Sequence, residues 1–308
     1  MISNGKFYES QFEEATIELL REAHWQYAFG DDIHRKYTDP LIEEDLRNFL
    51  TVQYKDKNLT TSEMDSIVAN LRNTGGQNDY YALRNAFLLY RDGYDFAYSD
   101  GRDNPFRLEY IDFEHPDHNI FRCVNQFVME QGRENRRPDI LLFINGIPVC
   151  IIELKNPTKQ NATIHDAHTQ ICTRYMRDIP ALLKYCALAV ISDGAKNALG
   201  TTYTPFEFFY EWKKIENEDK AGKGLDTLRT LIRGALSPER ILEILRDYVY
   251  FPDPTKEDDT TEIVCRYPQF FATRKLRDHI LNHLRSVGGD GKGGTYFGAT
   301  GCGKTYTM

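Results

Sequence analysis

The sequence lacks the features that mark secreted, membrane-spanning or zinc-binding proteins. Its six cysteines are scattered and never form a Cys-x-x-Cys pair; they are Cys123, Cys150, Cys172, Cys186, Cys265 and Cys302. We therefore expect reduced thiols rather than a zinc site or a disulfide framework. No apolar run approaches the roughly 18 residues that a membrane helix needs, and the first residues contain no signal-peptide core. These absences favour a cytoplasmic protein that does not contact a membrane.

An excess of positive charge is also absent. The chain has 308 residues and carries 46 acidic against 38 basic side chains, a formal net charge of -8. This balance argues against a protein that coats nucleic acid by bulk attraction, although it allows a local phosphate-binding site. The hydrophobic content of 41% is that of an ordinary folded protein. The length allows one large domain, or one domain and part of another.

The hydrophobic spacing predicts an α/β fold that begins with helices. Apolar residues recur at helical spacing over 8–26 and 60–73, and Thr60 and Glu63 have the spacing of a capping box. Residues 107–129 instead alternate between apolar and polar side chains, which is typical of strands.

Two buried strands are the best-defined prediction. The segments DILLFI and PVCIIELK flank Asn145-Gly146, a strong hairpin signal. Their nearly continuous apolar character indicates that both faces are covered, as in the centre of an α/β sheet. A helix over about 162–177 and another buried strand over 186–193 are expected to follow.

Three polar residues interrupt this apolar hairpin. Asp139 begins its first strand, and Glu153 and Lys155 lie near the end of the second. Glu153 and Lys155 are two residues apart, so a strand directs them to the same face. A buried strand end should carry a carboxylate and an ammonium group only if they pair or bind an ion.

The register of the hairpin decides whether Asp139 joins them. A loop of only Asn145-Gly146 turns Asp139 away from Glu153. A three-residue loop, Ile144-Asn145-Gly146, with Gly146 left-handed at a bulge, brings Asp139 to the face of Glu153. A nuclease site requires the longer loop.

Two carboxylates and a lysine on one face suit the hydrolysis of a phosphodiester. Asp139 and Glu153 would hold Mg²⁺, a hard cation that prefers oxygen ligands, with the backbone carbonyl of Leu154 as a third ligand. The metal would polarise the phosphodiester and acidify its bound water, and Lys155 would stabilise charge on the phosphate. An ordinary salt bridge between Glu153 and Lys155 is the plainer interpretation of the same residues.

The hairpin and its flanks resemble the signature of the restriction (R) subunit of type I restriction enzymes, in the segment RRPDILLFINGIPVCIIELKNP. The similarity extends to IDF at 111–113, VNQF at 124–127, IPALL at 179–183 and VISDG at 190–194. It implies a restriction-endonuclease-like fold, in which helices flank a mixed central sheet. It also implies catalytic roles for Asp139, Glu153 and Lys155.

The same resemblance points to three further site residues. Glu13, on the first helix, matches an acidic residue near the family's metal site, although it could equally belong to a solvated helix face. The family's later helix carries Gln-x-x-x-Tyr, whereas Gln170 and Tyr175 are five residues apart and Ile171 occupies the usual glutamine position. Five residues do not share a face of an α-helix, so either the helix has a local bulge or Gln170 has lost this role.

The last residues match the phosphate-binding pattern GxxxxGK[ST] in full. The residues concerned are Gly298, Gly301, Gly303, Lys304 and Thr305. Backbone N–H groups of this loop would surround the phosphates of ATP, the lysine would reach the β and γ oxygens, and the threonine would hold Mg²⁺.

Two neighbouring segments fit an ATP-driven motor. Residues 294–297 are a candidate for the short strand that precedes such a loop. Gln269, in Arg-Tyr-Pro-Gln, resembles the glutamine motif that reads adenine in superfamily 2 helicases and translocases. We expect an endonuclease domain over 1–255 and the beginning of a RecA-like domain over 256–308, truncated after the phosphate loop and unable to hydrolyse ATP by itself.

The resemblance implies an ATP-dependent endonuclease that translocates double-stranded DNA and cuts it away from the recognition site, in a complex with methylation (M) and specificity (S) subunits. Two other classes stay open. One is an independent nuclease of the RecB or Mrr kind, and the other is a non-catalytic docking module whose acidic residues form a structural ion pair. Metal-dependent cleavage separates an enzyme from a docking module, and binding to methyltransferase subunits separates the type I enzyme from the independent nuclease.

Overall fold

The protein is described by a computed structural model over residues 9–155, 163–216, 222–252, 260–298 and 303. The α-helices of these residues are α1 (Glu9–Glu22), α2 (Glu43–Gln53), α3 (Thr61–Asn73), α4 (Asp79–Asp92), α5 (Ile164–Thr169), α6 (Met176–Asp178), α7 (Pro180–Leu183), α8 (Leu225–Leu231), α9 (Pro238–Asp247) and α10 (Tyr267–His283). The strands are β1 (Gln26–Phe29), β2 (Tyr94–Phe96), β3 (Phe106–Leu108), β4 (Phe121–Asn125), β5 (Met129–Gln131), β6 (Glu134–Arg136), β7 (Ile140–Ile144), β8 (Ile147–Leu154), β9 (Leu188–Ser192), β10 (Asn197–Gly200), β11 (Val249–Tyr250) and β12 (Ile263–Val264). Two π-helical segments, Gln170–Tyr175 and Ile232–Leu236, continue α5 and α8. No helix among the described residues is long and apolar enough to cross a membrane.

A mixed sheet of six strands forms the centre of the fold, in the order β1-β4-β7-β8-β9-β10. The pairs β1–β4 and β8–β9 are parallel, and the other neighbours are antiparallel. Every residue of β7, β8 and β9 is buried, which confirms that both faces of the hairpin are covered. The N-terminal helices pack on one face, and the helix that begins at Ile164 packs on the other. The α/β class with a mixed central sheet is therefore as expected.

The helices that were predicted from extended hydrophobic periodicity are confirmed. The first helix spans Glu9–Glu22, and the third spans Thr61–Asn73 behind the expected capping box. In that box the Glu63 N–H donates to Thr60 Oγ1 at 3.3 Å, and the Thr60 N–H donates to the Glu63 carboxylate at 2.9 Å. The predicted helix over about 162–177 is also present. The described cysteines are free thiols, as expected.

The strand prediction over 107–129 is only partly right. Phe121–Asn125 enters the central sheet, whereas Phe106–Leu108 pairs with Tyr94–Phe96 in a small separate sheet. Gln126 then adopts φ 53°, a left-handed conformation that ends the regular strand. Alternation of side chains predicts an extended chain but does not specify its partner, which explains the error.

The short strand predicted at 294–297 is wrong. Residues 291–298 have no regular structure, and Phe297 is 94% exposed. An extended segment becomes a strand only when a neighbouring chain accepts and donates its backbone hydrogen bonds. The predicted domain boundary after residue 255 lies outside the described residues, and it stays a prediction.

The turn of the hairpin between β7 and β8 is a two-residue loop. Asn145 and Gly146 have φ values of 51° and 77°, as the favoured hairpin turn requires. A Cβ atom on Gly146 would lie 2.1 Å from the carbonyl oxygen of Ile42, so a side chain is excluded there. The buried Asn145 side chain accepts the N–H of Ile120 at 2.7 Å and donates to the carbonyl of Tyr110 at 3.0 Å. The contacts of Asn145 with Ile120 and Tyr110 and of Gly146 with Ile42 thus fix the position of the turn.

The three-residue loop that the nuclease hypothesis required is therefore wrong, and a bulge in β8 replaces it. Val149 is an extra residue between the pairs Leu142–Cys150 and Phe143–Pro148. Beyond the bulge Ile140 pairs with Ile152, so the next position along the hairpin places Asp139 opposite Glu153. Residues directly opposite each other share a face of the sheet. The bulge thus brings the two carboxylates to one side.

Candidate active site

The end of the hairpin brings Asp139, Glu153 and Lys155 together. The N–H of Leu154 donates to Asp139 Oδ2 at 2.7 Å, which holds this carboxylate against the end of β8. Lys155 Nζ lies 2.6 Å from Glu153 Oε1, and the side chains are 12% and 1% exposed. The trio is therefore a mostly buried charged cluster rather than a solvated ion pair.

A π-helical turn adds Gln170 and Tyr175 to this cluster. Gln170 Oε1 accepts a hydrogen bond from Lys155 Nζ at 2.9 Å, and Gln170 Nε2 donates to the Tyr175 hydroxyl at 2.7 Å. The Tyr175 hydroxyl donates to Glu153 Oε2 at 3.3 Å. These contacts close a ring of hydrogen bonds over the end of β8.

The π-helix explains the five-residue spacing that the sequence left open. Its hydrogen bonds connect residues five apart, so Gln170 and Tyr175 lie one turn apart on the same side. Ile171, at the position of the usual glutamine, is fully buried in the core between helix and sheet. Of the two alternatives, the structure has the local bulge.

Burial and like charge dominate the electrostatics of the cluster. Burial raises the pKa of the Glu153 carboxyl to about 8, and the nearby Asp139 carboxylate adds to this effect. The contacts with Lys155 and Tyr175 oppose it without cancelling it. Burial also raises the pKa of the Tyr175 hydroxyl, which keeps this group a proton donor. The burial of Glu153 beside a second carboxylate therefore favours binding of a cation or a proton at this site.

We expect the free energy of unfolding of the metal-free protein to fall as the pH rises from about 5 to about 8. The folded protein retains the Glu153 proton up to its raised pKa of about 8, whereas an unfolded glutamate releases it near pH ~4.3. This contribution to stability is complete below the lower pKa and is lost as the pH passes the upper one. Each unit of the raised pKa corresponds to about 1.4 kcal/mol.

Urea unfolding in EDTA at several pH values measures this slope, and Glu153→Gln is the matched variant because its side chain does not titrate. Glu262 is a second buried carboxyl with a raised pKa. It is present in both proteins, so the difference between their slopes isolates Glu153. Parallel slopes for the two proteins would mean that folding does not shift the Glu153 pKa.

Glu13 lies at the same end of the sheet, where two side-chain amides donate hydrogen bonds to its carboxylate. Asn125 Nδ2 donates to Glu13 Oε1 at 2.6 Å, and Gln126 Nε2 donates to Glu13 Oε2 at 2.9 Å. The Gln126 N–H donates to the carbonyl of Asp139 at 3.2 Å, which ties this arrangement to the start of β7. Glu13 is thus not part of a solvated helix face. The sequence reasoning missed Asn125 and Gln126, although polar residues at the end of an apolar strand were the available signal.

The nucleotide-binding residues predicted from the sequence are described only in part. Gln269 Nε2 donates to the carbonyl of Gly303 at 3.0 Å, and Gln269 Oε1 accepts the Arg266 N–H at 2.7 Å. The predicted glutamine motif therefore contacts the last glycine of the predicted phosphate loop. Gly298 has no regular structure, and Gly301, Lys304 and Thr305 lie outside the described residues.

Comparison with known proteins gives one family match and several relatives. The family described as "Type I restriction enzyme R protein N terminus" matches residues 6–208, which include the hairpin and the π-helix. The type I restriction enzyme HindI endonuclease subunit of Haemophilus influenzae is 28% identical over 97% of this chain and 29% of its own length. The putative type I restriction enzyme MjaIXP endonuclease subunit of Methanocaldococcus jannaschii is 27% identical over 96% of this chain and 30% of its own length. The chain thus spans less than a third of the length of these two relatives.

Proposed function

The chain belongs to the family of type I restriction enzyme R protein N termini, and from that premise we propose that it forms the nuclease part of an ATP-dependent restriction endonuclease that cleaves double-stranded DNA. The observation that carries this proposal is the meeting of Asp139, Glu153 and Lys155 at one end of the hairpin. Glu153 is buried beside a second carboxylate, and its raised pKa means that its negative charge is unfavourable there. A divalent cation at the carboxylates would compensate it.

We propose Mg²⁺ as that cation, held by Asp139 and Glu153 with the backbone carbonyl of Leu154. The three ligand atoms are all oxygens. Mg²⁺ prefers such ligands, whereas softer metals favour nitrogen or sulfur. When bound, the metal would supply polarisation of the phosphodiester and a more acidic water molecule. Glu13 would lie near this cation, where the Asn125 and Gln126 amides donate to its carboxylate.

The chain's own side chains would orient the reacting groups. Lys155 would donate to the phosphate oxygens as negative charge develops on them. Gln170 would position Lys155, since its Oε1 accepts from Nζ at 2.9 Å. Tyr175 would position both Gln170 and Glu153 through its hydroxyl. The π-helical turn supplies these two positioning residues together, and such turns are frequent at functional sites.

The remaining proposals concern ATP binding, DNA translocation and the partner subunits. We propose that Gln269 reads adenine, and that the loop with Gly298, Gly301, Gly303, Lys304 and Thr305 binds the phosphates of ATP during DNA translocation. Sequence recognition would be left to a specificity subunit, and a methylation subunit would complete the complex. From this role we expect a cytoplasmic location.

The proposal is tested with the full-length enzyme, assembled with its methylation and specificity subunits on plasmid DNA. We expect double-strand cleavage only when ATP and Mg²⁺ are both present, and we expect the tagged subunit to retain the other two in a pull-down. Cleavage without these partners would favour an independent nuclease. Translocation without cleavage in any divalent cation would favour a docking module.

A further inference from the structure

A second group of ligand-type side chains lies at the turn end of the hairpin, whereas Asp139 and Glu153 lie at its other end. It consists of Asp112, His115 and His118 in the loop 112–119, with one ligand atom from each residue. Among the described residues, it is the one group of at least three such side chains whose ligand atoms all lie within 4.8 Å of one another.

The ligand atoms have separations that suit a small cation. Asp112 Oδ2 lies 2.9 Å from His118 Nδ1 and 3.3 Å from His115 Nδ1. The two imidazole rings are stacked, with centroids 4.7 Å apart and an angle of 23° between their planes. A tetrahedral Zn²⁺ with ligands at about 2.0–2.2 Å separates neighbouring ligand atoms by about 3.3–3.6 Å. The two distances from Asp112 Oδ2 to the imidazole nitrogens therefore need only small adjustments.

The carboxylate is held in place before any ion binds. Asp112 is 5% exposed, and its Oδ1 accepts the backbone N–H groups of Glu114 at 3.0 Å and His115 at 2.9 Å. Its Oδ2 faces both imidazoles and also accepts from Gln53 Nε2 at 3.1 Å. Three nitrogen atoms, from Gln53, His115 and His118, thus surround this single oxygen. A side chain that is already fixed loses less conformational entropy when an ion binds, and this favours binding.

The exposure of the two histidines leaves the proposed ion site open to solvent. The side chains of His115 and His118 are 63% and 49% exposed, so an ion can enter from solvent and a water molecule can complete its coordination. Imidazole and carboxylate together suit Zn²⁺, whereas Mg²⁺ and Ca²⁺ prefer oxygen ligands alone. This donor set distinguishes the loop from the carboxylate site at the other end of the hairpin.

We propose that the loop 112–119 binds one Zn²⁺ through Asp112 Oδ2, His115 Nδ1 and His118 Nδ1, with water as the remaining ligand. The ion would clamp the loop onto the hairpin turn, because Asn119 Oδ1 accepts from Asn145 Nδ2 at 2.8 Å and Asn119 Nδ2 donates to the carbonyl of Asp112 at 2.7 Å. The role is structural. It does not depend on the proposed nuclease activity.

Zinc binding is measured by calorimetry on the chain, with Co²⁺ as a spectroscopic probe of tetrahedral coordination. The measurements use Asp139→Asn as the background, which keeps the ions away from the other site. We expect one Zn²⁺ per chain and a higher melting temperature with Zn²⁺ than with EDTA. His115→Ala/His118→Ala should weaken binding by at least about 10–100-fold, since losing even an outer partner of a ligand has an effect of that size.

The matched control is His279→Ala/His283→Ala, which removes another pair of neighbouring imidazoles, with ring centroids 4.0 Å apart. It should leave zinc affinity unchanged. The proposal is overturned if the Asp139→Asn protein binds no Zn²⁺, or if the two double variants made in it bind Zn²⁺ equally well. Because His115 and His118 are half exposed, the variant should melt like wild type in EDTA. If it does not, His118→Gln provides the same comparison with a polar side chain retained.

Discussion

Asp139→Asn should reduce DNA cleavage by the assembled enzyme by at least about 10²-fold, since altering even an outer partner of a metal ligand costs about 10–100-fold. Asparagine retains an oxygen that can accept the Leu154 N–H, which donates to Asp139 Oδ2 at 2.7 Å. It removes the negative charge with which Asp139 would hold Mg²⁺. The substitution therefore separates the charge of Asp139 from its hydrogen bond.

The same variant should be at least as stable as wild type when no metal is present. The Asp139 carboxylate helps to raise the pKa of Glu153 to about 8, so above that pH, where Glu153 is ionised, the substitution relieves a repulsion between two like charges. Urea unfolding in EDTA measures stability, and cleavage and translocation are assayed separately in the full-length enzyme. Asp95→Asn is the control, because Asp95 is an exposed aspartate paired with Arg107.

Two outcomes would contradict this expectation. Cleavage near the wild-type rate in Asp139→Asn would remove Asp139 from the proposed metal site. Loss of cleavage, translocation and stability together would instead make Asp139 a structural residue, whose carboxylate holds the end of β8 in place.

Lys155→Ala should abolish cleavage while translocation continues. A lysine that stabilises charge on the phosphate in the transition state contributes roughly 10²–10³ in rate. Gln170 positions the Lys155 ammonium, and no other described lysine or arginine donates to Glu153. We expect the variant to retain metal binding, since the two carboxylates are unchanged.

The stability of Lys155→Ala follows from the burial of its partner. The Lys155 side chain is 12% exposed and Glu153 is 1% exposed, so the loss exceeds that of an exposed ion pair. A hydrogen bond to a charged group contributes about 1.5–3 kcal/mol. Glu153 takes up a proton on folding at any pH below its raised pKa of about 8, so removal of Lys155 buries no unpaired carboxylate at neutral pH. This uptake limits the loss of stability to that range and leaves the domain folded.

Lys213→Ala is the matched control for this prediction. Lys213 also pairs with a glutamate two residues earlier, Glu211, at 2.8 Å, but both side chains are about half exposed. Its replacement should change neither cleavage nor the melting temperature measurably, since exposed pairs contribute about 0–1 kcal/mol. If Lys155→Ala still cuts DNA at the wild-type rate, or if it loses translocation and its melting transition together, the catalytic role of Lys155 is wrong.

The amino-acid sequence by itself determined the hairpin, its burial and the family of the chain. Asn-Gly between two apolar segments predicts a turn with two left-handed residues, and Asn145 and Gly146 adopt it. Continuous apolar strands predict covered faces, because exposed apolar surface is unfavourable in water. These features depend on nearby residues and on composition, which a single sequence contains.

Only the tertiary structure decided which polar side chains meet. The bulge at Val149 reverses the side-chain parity of β8 relative to β7, and nothing in the local sequence distinguishes it from a longer loop. The π-helical turn brings Tyr175 under Gln170, while Ile171 fills the core in place of a polar residue. Both irregularities are held by packing between helix and sheet. A bulge or a wide turn is unfavourable in isolation and forms when the contacts of the folded core compensate it.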